Sequence, residues 1–283
     1  MKIILTLTTI PSRLVSNHNY HMKYCIESLL DQSYSDNYEI HINIPHNYKR
    51  TGEEYIIPEW LNLITDSRLK IFRTEDCGSI TKLLPTLNRT SITDDTTIIV
   101  VDDDIVYHKD LIKEHIKNRK TWPDYAIGYD GVRARNIDGT RSNYFKDHRD
   151  HYFSATGRNS LVDILQHYKS ISYKRSFFGE DFFEFVDNRG TWCDDTTVSA
   201  YLAKCKIGRL CTYHPKDKLF DSYEEYLENV GHTFPVIKHT AHEHMEGCNL
   251  PRLSDENPLD TDRNLYMYKE CIDVAYSNQT WII

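Results

Sequence analysis

The sequence predicts an α/β fold, a mostly parallel sheet with helices on its faces, in a single domain over residues 1–283. Three observations carry this. Short apolar, β-branched runs alternate with segments of helical spacing through the first half of the chain. The run Ile98-Ile99-Val100-Val101 ends on Asp102-Asp103-Asp104, as a buried strand does where it leaves the core. No repeat, low-complexity tract or clear linker divides the chain.

The elements follow in order. Lys2 to Leu7 reads as a first strand, and Thr8 to Arg13 as a loop after it. His21 to Leu30 carries apolar residues at Met22, Cys25, Ile26, Leu29 and Leu30, a helical spacing. Tyr38 to Ile44 alternates as a strand does and is stopped by Pro45. Leu69 to Phe72 is a third, short strand. Ser79 to Leu87 reads as a helix that Pro85 must shorten or kink. Ile98 to Val101 is the fourth strand. Asp110 to Arg119 is a helix with an acidic start and a basic end, in the sense the helix dipole favours. Ala126 to Tyr129 adds a strand. Residues 131–160 are polar and read as a long irregular segment or substrate lid. Tyr173, Phe177, Phe178, Phe182, Phe183 and Phe185 read as core in preference to a sugar platform. Asp195 to Lys204 is a helix, and the tail after 215 is charged and His-rich.

Composition narrows the function. The net charge is −8 and there is no long basic run, which argues against nucleic acid and acidic membrane surfaces as partners. Twenty tyrosines suit hydroxylated ligands, but AT-rich coding composition explains most of them. Seven cysteines, an odd number without a C-x-x-C pair, point to reduced and mostly buried thiols. The apolar run at Met1 to Leu5 is too short for a signal peptide, and no stretch is long enough to span a membrane, so a cytoplasmic protein is expected.

Three adjacent carboxylates at a strand end repel one another and need compensation. A hard divalent cation is the usual source, because Mg²⁺ and Mn²⁺ prefer oxygen ligands and then also bind phosphate oxygens. Asp102, Asp103 and Asp104 are therefore candidates to hold a metal. A solvated acidic turn is the competing reading. Three further segments join them. In Thr8-Thr9-Ile10-Pro11-Ser12-Arg13 the arginine suits a bidentate contact to a diphosphate or a base edge. In Gly78-Ser79-Ile80-Thr81-Lys82-Leu83-Leu84-Pro85, Lys82 suits phosphate and Gly78 permits close backbone approach. In Trp192 to Leu202 the pair Asp194-Asp195 opens a helix, with Asp194 as a plain N-cap the alternative.

Taken in order, T-T-I-P-S-R, S-L-L-x-Q-S-Y, S-I-T-K-L-L-P, V-V-D-D-D-I-x-Y and D-D-x-x-x-S-x-Y-L resemble a group of GT-A-fold glycosyltransferases, family 2-like. Such enzymes occur in bacterial surface-polysaccharide clusters and some large DNA viruses. The resemblance covers roughly residues 1 to 210. It implies a Rossmann-like GT-A domain, with residues 1–125 binding a nucleotide-sugar donor and 126–283 binding a glycan acceptor. It implies Mn²⁺ or Mg²⁺ held by a D-x-D element, with Asp104 the direct ligand and Asp102 facing the ribose or the metal's water shell. Asp103 lies between them. It implies that Thr8, Pro11 and Arg13 frame the nucleotide and that Lys82 approaches the base or diphosphate. The pair Asp194-Asp195 resembles the one that supplies the base in inverting members, with Asp195 favoured.

His239 to His244 is the remaining constellation. Many GT-A enzymes add a late histidine to the metal, and His242 or His244 is the candidate; a polar exposed strand is the alternative. On residue chemistry alone, another Mg²⁺-dependent phosphate enzyme (a nucleotidyltransferase or phosphohydrolase) and a non-catalytic nucleotide- or carbohydrate-binding protein stay open.

Overall fold

The computed structural model describes residues 1–15, 22–132, 151–153, 159–189 and 194–212. In chain order they form β1 (Ile3–Thr8), α1 (Pro11–Val15), α2 (Met22–Leu30), β2 (Glu39–Pro45), α3 (Glu59–Asn62), β3 (Leu69–Thr74) and α4 (Leu84–Leu87). Next come β4 (Thr97–Val100), α5 (Leu111–Thr121), β5 (Tyr125–Gly128), β6 (Asp130–Val132), β7 (His151–Phe153), β8 (Ser160–Leu161) and β9 (Ile164–Leu165). β10 (Ile171–Lys174), α6 (Asp181–Arg189), α7 (Asp194–Lys204) and β11 (Gly208–Cys211) complete them.

The main sheet has eight strands in the order β3-β2-β1-β4-β10-β5-β11-β8. β1 pairs in parallel with both β2 and β4, β2 with β3, and β11 with β5. β10 runs antiparallel between β4 and β5, and β8 lies antiparallel at the edge. A second sheet, antiparallel and three-stranded, has the order β7-β6-β9. This is a mostly parallel, Rossmann-like α/β arrangement. The chain leaves β1 toward β2 on one side and returns to β4 on the other, so a crevice opens between the carboxyl ends of β1 and β4.

The central strands β1 and β4 are buried on both faces, which is why they read as largely apolar, β-branched runs. Along β1 and β4, Ile4, Ile98 and Val100 enter one core cluster while Ile3, Leu5, Leu7 and Ile99 enter the other. Tyr173, Phe177, Phe178, Phe182 and Phe185 are buried in the first cluster, as core, with Phe183 partly buried against it. In α2 the buried residues are Met22, Cys25, Ile26 and Leu29, the face the spacing marks.

Local differences have local causes. The predicted loop after β1 shortens to Thr9-Ile10, because Pro11 starts α1: its fixed φ suits a first helical turn and its missing N–H is not needed there. Pro45 does not stop β2 at Ile44 but is its last residue, in register with Thr74, and the ladder passes over its missing N–H to His46 N, 3.0 Å from Thr74 O. The helix expected over 79–87 is two pieces, a 3₁₀ turn at Gly78–Lys82 and α4, broken at Leu83 just before Pro85. β6, β7 and the start of β8 fall in the segment read as irregular, and the rest of that segment lies outside the described residues. Among the described residues no helix is long and apolar enough to cross a membrane. Cys25, Cys77, Cys205 and Cys211 are free thiols, Cys25 and Cys211 buried, Cys77 partly buried and Cys205 exposed.

Candidate active site

The acidic triplet follows β4 at the mouth of the crevice. Its compensation comes first from the chain itself. Arg13, on α1, places Nη1 2.5 Å from Asp103 Oδ1 and Nη2 3.2 Å from Asp104 Oδ2. Thr9 donates its hydroxyl to Asp103 Oδ2 at 2.5 Å. Lys82 places Nζ 2.6 Å from Asp102 Oδ1. The two cations expected to meet phosphate thus lie on the carboxylates expected to meet metal.

Lys82 is held there by a buried polar lattice beneath the sheet. Its carbonyl accepts from Thr6 Oγ1 at 2.5 Å and from Asn43 Nδ2 at 3.2 Å, and Thr6 and Thr86 hydroxyls meet at 2.7 Å. Asn43 Nδ2 also reaches Thr81 O at 3.0 Å. The 3₁₀ turn is therefore bolted to β1 and β2, and Lys82 points from it into the crevice. Thr8 serves the same scaffold: its hydroxyl donates to Asn43 O at 2.8 Å, and Thr9 is the residue whose side chain turns to the triplet. Pro11 is buried at the start of α1.

Lys82 also reaches across the crevice. Its Nζ lies 2.9 Å from Asp194 Oδ2, at the start of α7. Asp194 in turn stands 2.9 Å from His167 Nδ1. The carboxylate of Asp194 is thus committed to two cationic groups; it is the first residue of α7 and not an N-cap. Its neighbour Asp195 accepts on Oδ1 from the His167 backbone N–H at 2.9 Å and from His167 Nδ1 at 2.6 Å. His167 Nε2 meets Tyr173 OH at 2.8 Å.

Asp102, Asp103, Asp104, Asp194 and Asp195 therefore share one continuous site with Arg13, Lys82 and His167. Electrostatics mark the imbalance. Desolvation raises the Asp102 carboxyl above its usual range, against Lys82 and with help from Asp104 and Asp194. Burial also works against Asp194, but Lys82 and His167 outweigh it and hold that carboxyl well below its usual range. Burial opposes a charge on His167, yet Asp194 and Asp195 raise it to about 9. Burial opposes Lys82 too, and Asp102 and Asp194 raise it well above its usual value. Among the described residues, five carboxylates against three cations leave a formal surplus of two negative charges, and the half-buried Asp102 shows it. That surplus, on hard oxygen donors at a strand end, fits a divalent cation such as Mn²⁺ or Mg²⁺.

His242 and His244 lie outside the described residues. The group that sequence reasoning missed is His167. It sits in a 3₁₀ turn, His167–Lys169, with no motif around it, and the packing of β9 against α7, with Leu165 N donating to Ser199 Oγ at 3.1 Å, brings it to the acidic pair. Tyr107 was missed as well. Its hydroxyl accepts from Asp102 N at 2.8 Å and donates to Tyr168 O at 3.1 Å, so it joins the triplet to the turn that carries His167.

No family model matches this chain, and no curated protein does. Solved structures of similar fold include a Francisella tularensis 2-C-methyl-D-erythritol 4-phosphate cytidylyltransferase, 10% identical over 81% of this chain and 97% of that one, with a TM-score of 0.48. Another is a 4-diphosphocytidyl-2C-methyl-D-erythritol synthase, 7% identical over 80% of this chain and 95% of that one, with a TM-score of 0.46.

Proposed function

We propose that this chain is a metal-dependent glycosyltransferase that moves a sugar from a nucleotide-sugar donor to a hydroxyl of a glycan acceptor. The observation that carries the reading is the bridge at Lys82, 2.6 Å from Asp102 and 2.9 Å from Asp194. It joins the edge that would bind metal and phosphate to the helix start where Asp195, beside the ion-paired Asp194, would take a proton, which is the division of labour that transfer to a hydroxyl requires.

Residues 1–125 form the donor side in this reading and 126–283 the acceptor side. Asp104 and Asp102 would hold Mn²⁺ or Mg²⁺, with His242 or His244 as a late addition. Arg13 and Lys82 contact the diphosphate, and Thr8, Thr9 and Pro11 shape the pocket beside β1. When bound, the metal supplies Lewis-acid stabilisation of the departing diphosphate. Asp195 Oδ1 is anchored by His167, and the described residues place no hydrogen-bond partner on Oδ2. Oδ2 takes the acceptor proton as the acceptor oxygen bonds to the anomeric carbon. The carbon–oxygen bond to the diphosphate breaks, and its electron pair leaves with the nucleoside diphosphate. One displacement inverts the anomeric centre.

Two cations beside three carboxylates at a strand end would seat a nucleoside triphosphate equally well, so nucleotidyl transfer is the second reading. The base distinguishes them. A phosphate acceptor is already ionised and needs no proton acceptor, whereas a sugar hydroxyl does. The test is a thermal-shift screen of nucleotide sugars and nucleoside triphosphates, with and without Mn²⁺, on wild type and Asp104→Asn. A Mn²⁺-dependent rise with a nucleotide sugar that Asp104→Asn abolishes supports glycosyl transfer. A rise with triphosphates alone supports the second reading.

A further inference from the structure

We propose that His167 positions the base, clamping one oxygen of Asp195 so that the other faces the acceptor; this rests on the transferase reading above. Two donors from one residue converge on Oδ1, the backbone N–H at 2.9 Å and Nδ1–H at 2.6 Å. A single hydrogen bond lets a carboxylate swing about it. Two on the same oxygen, from a fixed backbone and a buried ring, do not. His167 is 1% exposed, so its ring has no room to follow a moving partner.

The clamp is itself held from behind. Tyr173 OH meets Nε2 at 2.8 Å and fixes the ring orientation, as outer partners do for functional imidazoles. Tyr173 belongs to β10, is buried, and packs edge-on to Phe178 with ring centroids 5.3 Å apart. The turn is pinned as well, because Tyr107 OH donates to Tyr168 O while accepting from Asp102 N. The distance from triplet to base is thereby set by rigid, buried groups.

A metal ion is the other occupant this geometry raises, since His167, Asp194 and Asp195 offer ligand atoms all within 4.8 Å of one another. Lys82 argues against it. Its ammonium, 2.9 Å from Asp194 Oδ2, already places a fixed positive charge at that spot. Asp194 and Asp195 are the neighbours that make His167 a donor, and it is a donor's proton that the 2.6 Å contact holds.

The test uses the full chain with His167→Ala, His167→Asn and Tyr173→Phe. Asn places an amide N–H where Nδ1–H stands. His167→Ala is expected to lower kcat by about 10–100-fold with donor KM and nucleoside-diphosphate affinity unchanged. His167→Asn should recover part of the loss, and Tyr173→Phe should show a smaller one. Wild-type kcat in His167→Ala overturns the proposal. So does a loss shared equally by kcat and nucleotide affinity, or Mn²⁺ binding that His167→Ala weakens and Asp104→Asn does not. Long-range ¹H–¹⁵N NMR of the imidazole gives a readout that needs no turnover and still applies if the alanine variant fails to fold. The Nδ1 proton signal should shift in Asp195→Asn, and an unmoved signal overturns the clamp. Absence of transfer from every nucleotide sugar in the wild type would instead strike the transferase reading, leaving the NMR result to decide the clamp.

Discussion

Lys82 and Asp194 form a buried ion pair, Nζ to Oδ2 at 2.9 Å, that closes the crevice from the sheet side to the start of α7. Lys82 is simultaneously 2.6 Å from Asp102, so one ammonium neutralises carboxylates on both walls. Removing it leaves two carboxylates facing each other in a poorly solvated space. Lys82→Met should therefore destabilise the fold by about 3–5 kcal/mol, the usual cost of orphaning a buried charge. Urea unfolding checks this, and a loss below about 1 kcal/mol would mean that the pair is solvated.

Asp194→Asn and Asp195→Asn should separate. Asp194 is committed to Lys82 and His167, so its loss should act on stability, by more than the roughly 1 kcal/mol of a helix cap. Asp195→Asn should leave metal and donor binding intact and cut transfer by about 10²–10⁴-fold. Steady-state kinetics beside thermal melts measures both. A dead but stable Asp194→Asn with an active Asp195→Asn would exchange the roles.

Metal and nucleotide should bind cooperatively. Arg13 sits on Asp103 and Asp104, and Lys82 on Asp102, so either cation must release its carboxylate to reach a phosphate. Arg13→Ala should therefore tighten Mn²⁺ alone while weakening nucleoside diphosphate by roughly 1.5–3 kcal/mol. Calorimetry with each ligand alone and together reads the two signs. Weakening of both, or no change in either, would contradict the exchange.

Two buried histidines set a stability window. Burial pushes His41 from 6.5 down to about 4, although Glu39 Oε2 lies 2.8 Å from Nε2. Arg89 stands 3.1 Å from its Nδ1, a contact that needs neutral imidazole. Below pH 6.5 the unfolded chain gains a proton the folded one refuses, so stability falls from pH 6.5 toward 4. His167 runs the other way: held at about 9, it keeps a proton the unfolded chain loses, and stability falls from pH 6.5 toward 9. Each limb is worth on the order of 3 kcal/mol. Urea midpoints across pH 4.5 to 9 should peak near neutrality, and a flat profile would exclude both shifts.

The scaffold was legible because its signals are local. Ile98 to Val100 is apolar on both faces, since both faces are covered, and Pro85 marks the break at Leu83 by its missing N–H. The charged groups Arg13, Lys82, Asp102 and Asp194 were legible as charged groups at element ends. Their pairing was not, because it depends on which strand ends share a crevice, and the parallel pairing of β1 with β4 decides that for Arg13 and Asp102. His167 carries no local sign. A histidine in a three-residue turn acquires its role only from two aspartates on α7 and a tyrosine on β10.

The most direct measurement is ³¹P NMR of the full chain with Mn²⁺, a panel of nucleotide sugars and a hydroxylated acceptor. Release of nucleoside diphosphate, lost in Asp104→Asn and Asp195→Asn, with product NMR showing the anomeric configuration opposite to the donor's, is the result expected. Pyrophosphate released from a nucleoside triphosphate, or sugar transferred with retention, would contradict a glycosyltransferase that uses Asp195 as its base.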